Sequence, residues 1–194
     1  QTSSDTPTPT PTPTDTDTPT QTNTQTATEE VPSTETVNIG EIFGDNDLQA
    51  VVREFTTQQA LGEYTEAESG NDFAIIRLVA KNTTTQYDLR IGGFDPTFSA
   101  TLQDAEEYTY DQVFEDTDTP FVSRTLVPGE VMRGDLLFRV ANNASGLILN
   151  FDFSDSSLLD LRQVTVDLTQ RASTISDLTQ DLKVDINSIG DSVG

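Results

Sequence analysis

From Val37 onward, short apolar runs are separated by turn residues every 8–15 positions. That spacing predicts an all-β sandwich. Val37 and Ile39 open a short strand before the turn Gly44-Asp45-Asn46-Asp47, and Leu48 to Thr57 reads as the next strand. Glu63 to Asn71 is polar and ends in the turn pair Gly70-Asn71. Phe73 to Ala80 (FAIIRLVA) is apolar at both parities, as a central strand covered on both faces requires. Leu89 and Ile91 alternate with Asp88 and Arg90. Thr97–Leu102 and Tyr108–Val113 predict a hairpin across Gln103–Glu107, and Phe121–Val127 leads into a turn at Pro128-Gly129. Three later segments alternate clearly. Leu136, Phe138 and Val140 oppose Asp135 and Arg139; Leu147, Leu149, Phe151 and Phe153 oppose Asn150 and Asp152; Val164, Val166 and Leu168 oppose Thr165 and Asp167. Such period-two alternation buries one face and solvates the other.

The two ends depart from this pattern. Residues 1–36 alternate Thr with Pro, Asp, Gln and Asn, with no Gly and no aromatic residue. Too little apolar surface is present to offset ordering entropy, so a disordered Thr/Pro-rich stalk of the O-glycosylated kind is expected. At the other end, Ile175, Leu178, Leu182 and Ile189 fit a helical stripe, with Thr174 and Asp177 as a capping pair. Leu182, Val184 and Ile186 instead alternate with Lys183, Asp185 and Asn187, a strand pattern. The balance favours a helix over 174–182. The expected architecture is a stalk (1–36), an immunoglobulin-like antiparallel β-sandwich of about 7–9 strands (37–170), and a C-terminal extension (171–194) carrying a short helix or an extra strand.

Two motifs stand out in the middle of the chain. One is the glycine-opened central strand that ends in Lys-Asn-Thr, Gly70 through Thr83. The other is Val127-Pro128-Gly129-Glu130, then Gly134, then Leu136-Leu137-Phe138-Arg139-Val140, with the Gly146–Phe153 strand following. In this order and spacing, about residues 37–170 resemble a widespread family of domains of unknown function. That family has a telokin-like, immunoglobulin-like fold and is common in secreted bacterial and archaeal lipoproteins. The resemblance implies a sandwich and an extracytoplasmic address. It implies no catalytic residues, because the family has no shared active site to carry over.

Charge sharpens the picture. The chain has 33 Asp and Glu against 10 Lys and Arg, a formal net charge of −23. Such a surface repels nucleic acid and anionic headgroups. The acids are spread along every segment, which favours adaptation to molar salt, of the haloarchaeal type, over a local acidic tail. With no Cys and no His, thiolate sites and most acid–base pairs are unavailable. No cofactor is expected. No apolar run approaches the ~20 residues of a membrane helix. Gln1 reads as a processed start, with a secretory signal and a lipid-modified Cys upstream as the expected anchor.

Candidate sites are sparse. Asp45-Asn46-Asp47, Asp116-Thr117-Asp118 and Asp152-Phe153-Ser154-Asp155 offer oxygen ligands but match no calcium loop, so solvated turns are expected. The sequons at Asn82 and Asn143 fall at strand ends, where a glycan would be accessible. Phe94, Phe98, Tyr108, Tyr110, Phe114 and Phe121 form an aromatic group expected to pack in the core. The functional expectation is a non-catalytic, surface-anchored binding or structural module of a halophilic microbe. Its partners would be surface proteins or copies of itself, and membrane contact only through a lipid anchor. The alternative is a filament or pilus-like subunit joined by strand donation, with the N-terminal segment or the 181–187 run as donor. The enzymatic alternative is a hydrolase of envelope polysaccharide, since carboxylate pairs abound.

Six of the 33 acids precede Val37, leaving 27 against all 10 bases in the domain. At ~0.01 M salt the Debye length is about 30 Å and the repulsion spans the whole domain; at ~1 M it is about 3 Å. The thermal midpoint is therefore expected to rise through a KCl or NaCl series, and mild acid to replace part of that effect. A midpoint that stays flat or falls removes the support for a salt-adapted origin.

Overall fold

The computed structural model describes residues 33–91, 99–113, 117–153 and 161–181. Its regular structure is entirely β. In chain order the strands are β1 (Ser33–Ile39), β2 (Ile42–Gly44), β3 (Leu48–Gln58), β4 (Ala60–Leu61), β5 (Thr65–Glu66), β6 (Asn71–Asn82) and β7 (Leu89–Ile91). They continue with β8 (Ser99–Gln103), β9 (Thr109–Tyr110), β10 (Arg124–Leu126), β11 (Val131–Ala141), β12 (Ile148–Asp152) and β13 (Leu161–Arg171). One sheet has the order β1-β13-β12-β8-β9 and the facing one β11-β6-β3-β2. The pairs β4-β5 and β7-β10 form separate ribbons. Among the described residues the two main sheets thus hold nine strands, within the 7–9 that the alternation predicts.

The core lies between the sheets because each strand presents one parity inward. Ala74, Ile76, Leu78 and Ala80 of β6 join Met132, Leu136, Phe138 and Val140 of β11. Against them pack Leu149, Phe151 and Phe153 around β12 and Val164, Val166 and Leu168 of β13. Phe43 contacts Phe151, and Phe151 stacks on Phe153, with ring centroids 5.2 and 6.1 Å apart. The 99–103/109–110 hairpin forms as the sequence predicts.

Three expectations are corrected. Among the described strands the two main sheets are antiparallel except that β1 pairs in parallel with β13, the first and last described strands meeting at one edge. Strand pairing is already present at Ser33, the first described residue and ahead of Val37, because the main chain of Ser33–Thr36 bonds to β13 without needing apolar side chains. No helix forms over the described part of 174–182; residues 172–181 run as an irregular strap. Ile175 packs on the inter-sheet core, whereas Leu178 enters a separate cluster with Val51, Val79 and Val131. Their three-residue spacing therefore serves two sockets rather than one helical face. Residues 1–32 and 182–194, including the rest of the expected stalk and the 182–187 alternation, lie outside the described residues.

Candidate functional site

The two motifs that carry the sequence resemblance meet at one corner of the sandwich. Asn82, the last residue of β6, is fully buried. Its Nδ2 donates to the carbonyls of Tyr87 and Leu126 at 3.0 and 2.8 Å, and its Oδ1 accepts from the Thr84 amide at 2.9 Å. Its backbone amide donates to the Glu130 carbonyl, and its carbonyl accepts from the Gly129 amide. The Pro128-Gly129-Glu130 turn is thereby tied to the strand end. Glu130 accepts from the Val127 amide at 3.0 Å and pairs with Arg124. Thr83 adds a third loop: its amide donates to Asp47 O and its hydroxyl to Asn46 O. The expectation that the Asn82 side chain is accessible at its strand end is corrected here. In the folded domain its amide nitrogen is enclosed and makes two hydrogen bonds. Asn143, the other sequon, is exposed in the turn after β11.

The strap docks beside this corner, on the outer face of the four-stranded sheet. The Ser176 amide donates to Gly40 O at 2.9 Å, and the Asp181 amide to Gly129 O at 3.1 Å. Both glycines have positive φ, +93° and +80°, and the strap presses against both. A Cβ on Gly40 would lie 2.5 Å from Ile175 Cδ1, and one on Gly129 would lie 2.7 Å from the Asp181 carbonyl. Between these ends Leu178 is buried in a slot of three valines. The slot follows from register: Val51, Val79 and Arg133 share one cross-strand row, and Gln49, Lys81 and Val131 the next. Two of the cations, Arg133 and Lys81, come from these rows, and Arg53 from the register shift between Val52 and Glu54. Asp177 pairs with Arg53 at 2.7 Å and with Arg133 at 3.4 Å, Arg133 donates to Leu178 O at 2.9 Å, and Lys81 pairs with Asp181 at 3.0 Å. The Arg53 guanidinium, hydrogen-bonded to Asp177, holds that carboxyl below the ordinary aspartate value of 3.8. Reading the sequence strand by strand misses this groove. Its available signal was parity: valines and cations alternate with the core residues on three adjacent strands.

Further along the same face, Asp135 is buried, although its alternation with core residues predicts a solvated position. Arg77 grips it through Nε and Nη2, at 2.9 and 3.2 Å, and the Thr119 hydroxyl donates to it at 3.2 Å. The hydrogen bond from Arg77 to Asp135 pushes the guanidinium pKa up. The 117–121 segment covers the pair, its backbone bonded to both polar groups of the Asp135 main chain. Gly134 permits that approach, since a Cβ there would lie 2.6 Å from Phe121 Cα. A cleft of about 290 Å³ beside the pair is lined by Glu54, Thr56, Arg77, Thr117 and Asp118 among others.

At the opposite end of β6, a cleft of about 440 Å³ gathers Asp104, Glu106, Tyr108, Tyr110, Arg139 and Asn143. The Tyr110 hydroxyl donates to Asp104 at 2.8 Å, and the same carboxylate accepts from the Glu106 and Tyr108 amides. Burial, with that bond, pushes the Tyr110 phenol up to about 12, and the bond holds Asp104 low. Asp104 thus organises its own turn. Asp45 does likewise, accepting from the Asp47 and Leu48 amides. Asp116 and Asp155 lie outside the described residues, as do Phe94, Phe98 and Phe114. Of the aromatic group, Phe121 is in the core as expected and Tyr110 at its edge, whereas Tyr108 is 64% exposed. Among the described residues, no cluster of three or more carboxylates could hold a metal ion.

A family profile described as a domain of unknown function (DUF4352) matches residues 37–158. The fold is similar to that of ycdA from Bacillus subtilis, described as a candidate lipoprotein, with a TM-score of 0.52 at 15% identity over 66% of this chain. This chain spans 39% of that protein's length. It is also similar to the yjhA protein from Bacillus subtilis, with a TM-score of 0.50 at 19% identity over 68% of this chain and 98% of that one. At these identities the likeness is one of fold. The curated proteins contain no match.

Two outcomes are expected. Asn82→Ala leaves the Leu126 carbonyl and the Thr84 amide without their side-chain partner, and the Tyr87 carbonyl with the Thr84 hydroxyl alone, and should destabilise the domain by about 2–4 kcal/mol, read by denaturant melts. For Asp177, a folded-state pKa below the unfolded one means its ion pairs stabilise the strap above pH 3.8 and cease to do so as pH falls through the folded value. Protection from hydrogen exchange at the Ser176 and Asp181 amides, taken relative to the intrinsic rate at each pH, should therefore fall below that pH, ahead of the core strands.

Proposed function

On the premise that this chain belongs to the DUF4352 family, we propose that it is a non-catalytic, extracellular, surface-anchored binding or structural module. One observation carries the reading. The close ion pairs on the outer face of the four-stranded sheet hold segments of peptide against it: Arg77 and Asp135 beneath 117–121, and Arg53, Lys81 and Arg133 around the strap. The chemistry of this face is the seating of extended chain. Asp104, Asp45 and Asp135 each accept hydrogen bonds that organise their own turns or covering segment.

The location is supported by the Thr/Pro-rich segment before the sandwich and by the likeness to a candidate lipoprotein. The net charge of −23 supports a salt-rich surrounding, where such a surface stays soluble and folded. Exposed Asn143 is the position of the two sequons that suits a glycan.

Fractionation of cells expressing the native protein tests the reading. Recovery in the envelope fraction or the medium is expected, and recovery in the soluble cytoplasm overturns it.

A further inference from the structure

We propose that the groove occupied by residues 175–181 is a peptide-binding site whose second occupant is the same segment of another copy of this chain, exchanged by opening at residues 172–174. The proposal does not depend on where the protein resides.

The groove reads three features of its occupant. Gly40 and Gly129 accept main-chain hydrogen bonds at the two ends, so the occupant is an extended chain with amides at the positions of Ser176 and Asp181. The slot of Val51, Val79 and Val131 takes one leucine. Arg53, Arg133 and Lys81 require carboxylates one residue before that leucine and three after it. The pattern is Asp-Leu-x-x-Asp, supplied by Asp177 to Asp181. Emptying the groove exposes three valines and leaves three of the chain's 10 basic groups without their carboxylates. A second copy offers the same complement in the same spacing.

Exchange is also topologically simple. Among the described residues the strap follows the last strand, so it can leave without drawing any described strand out of a sheet. The Ala172 amide, bonded to Ile39 O at 2.8 Å, marks the end of the sheet, and Ser173 and Thr174 beyond it are exposed. Of the residues from 173 to 181, only Leu178 is buried, and the Asp177 and Asp181 carboxylates are 45% and 68% exposed. Every hydrogen bond and ion pair that the strap breaks in its own copy re-forms in the neighbour, the condition under which swapping is a low-cost route to association. Molar salt removes the main obstacle, the repulsion between two strongly acidic copies. Reciprocal exchange gives a dimer and one-way exchange a chain.

The protein has no cysteine, so engineered ones report cleanly. Full-length L178C and V131C are purified separately, mixed at high concentration in molar salt, and oxidised. A covalent L178C–V131C heterodimer is expected, and excess synthetic peptide of residues 174–181 should suppress it. L178C homodimers with unlinked V131C overturn the proposal. The double variant V131C/L178C must close internally as a monomer in dilute solution; failure to close overturns it as well. Deleting Ser173 and Thr174 removes the bend that brings Ile175 back to Gly40 beside Ala172, so that the strap can no longer seat in register in its own copy. Sedimentation should then give dimers or longer assemblies, and a persistent monomer counts against exchange.

Discussion

Asn82 is the point on which the rest of the domain depends. A buried amide side chain costs free energy unless each polar atom finds a partner, and this one finds three in two separate segments. Meeting that requirement fixes the end of β6 against the 126–130 turn and the 83–87 loop. The turn in turn places Gly129, whose carbonyl receives one end of the strap. Removing water from one side chain thus sets the geometry of the outer groove as well as the corner itself.

The outer face of the four-stranded sheet follows a second constraint. β6 is apolar at both parities, so both of its faces must be covered. The facing sheet covers one. The other is covered piecemeal by the strap, by the 117–121 segment, and by Leu61 and Ala67 packed on Phe73 and Leu137. Short segments bury little apolar area each, so their seating relies on ion pairs and backbone hydrogen bonds. Half-exposed pairs contribute roughly 0–1 kcal/mol each, which keeps such covers attached yet releasable. The better-enclosed Arg77–Asp135 pair follows a different rule: breaking it would leave a buried carboxylate unpaired, so its segment is held more firmly. In a chain this acidic, cations are scarce, and four of the ten serve these covers.

Much of this was legible from residue order. The alternation around Leu136–Val140, Leu147–Phe153 and Val164–Leu168 specifies which side chains enter the core, because period two is a property of the extended chain itself. The Lys-Asn-Thr and Pro-Gly-Glu motifs identify the family but not their purpose. Forty-five positions separate Asn82 from Val127, and only strand pairing brings them together. Asn82 reads as an accessible sequon for the same reason: a tripeptide carries no information about what folds over it. Asp135 reads as solvated because alternation reports a side chain's face, not whether another segment covers that face.

The sequence Asp-Leu-Thr-Gln occurs twice, at 167–170 and at 177–180. In the first copy Leu168 enters the inter-sheet core and Asp167 bonds to the amide and hydroxyl of Thr169. In the second copy Leu178 enters the outer slot and Asp177 is held by Arg53 and Arg133. One copy lies in a strand and the other in an irregular strap. By itself the sequence determined the all-β class, the inward parity of the strands and the excess of acid, which are local or additive properties of the chain. Only the tertiary structure decided which leucine faces which layer, which carboxylate meets a cation, and where the last segment docks. Those outcomes depend on what stands opposite each residue, and side chains distant in sequence become neighbours only once the sheets have formed.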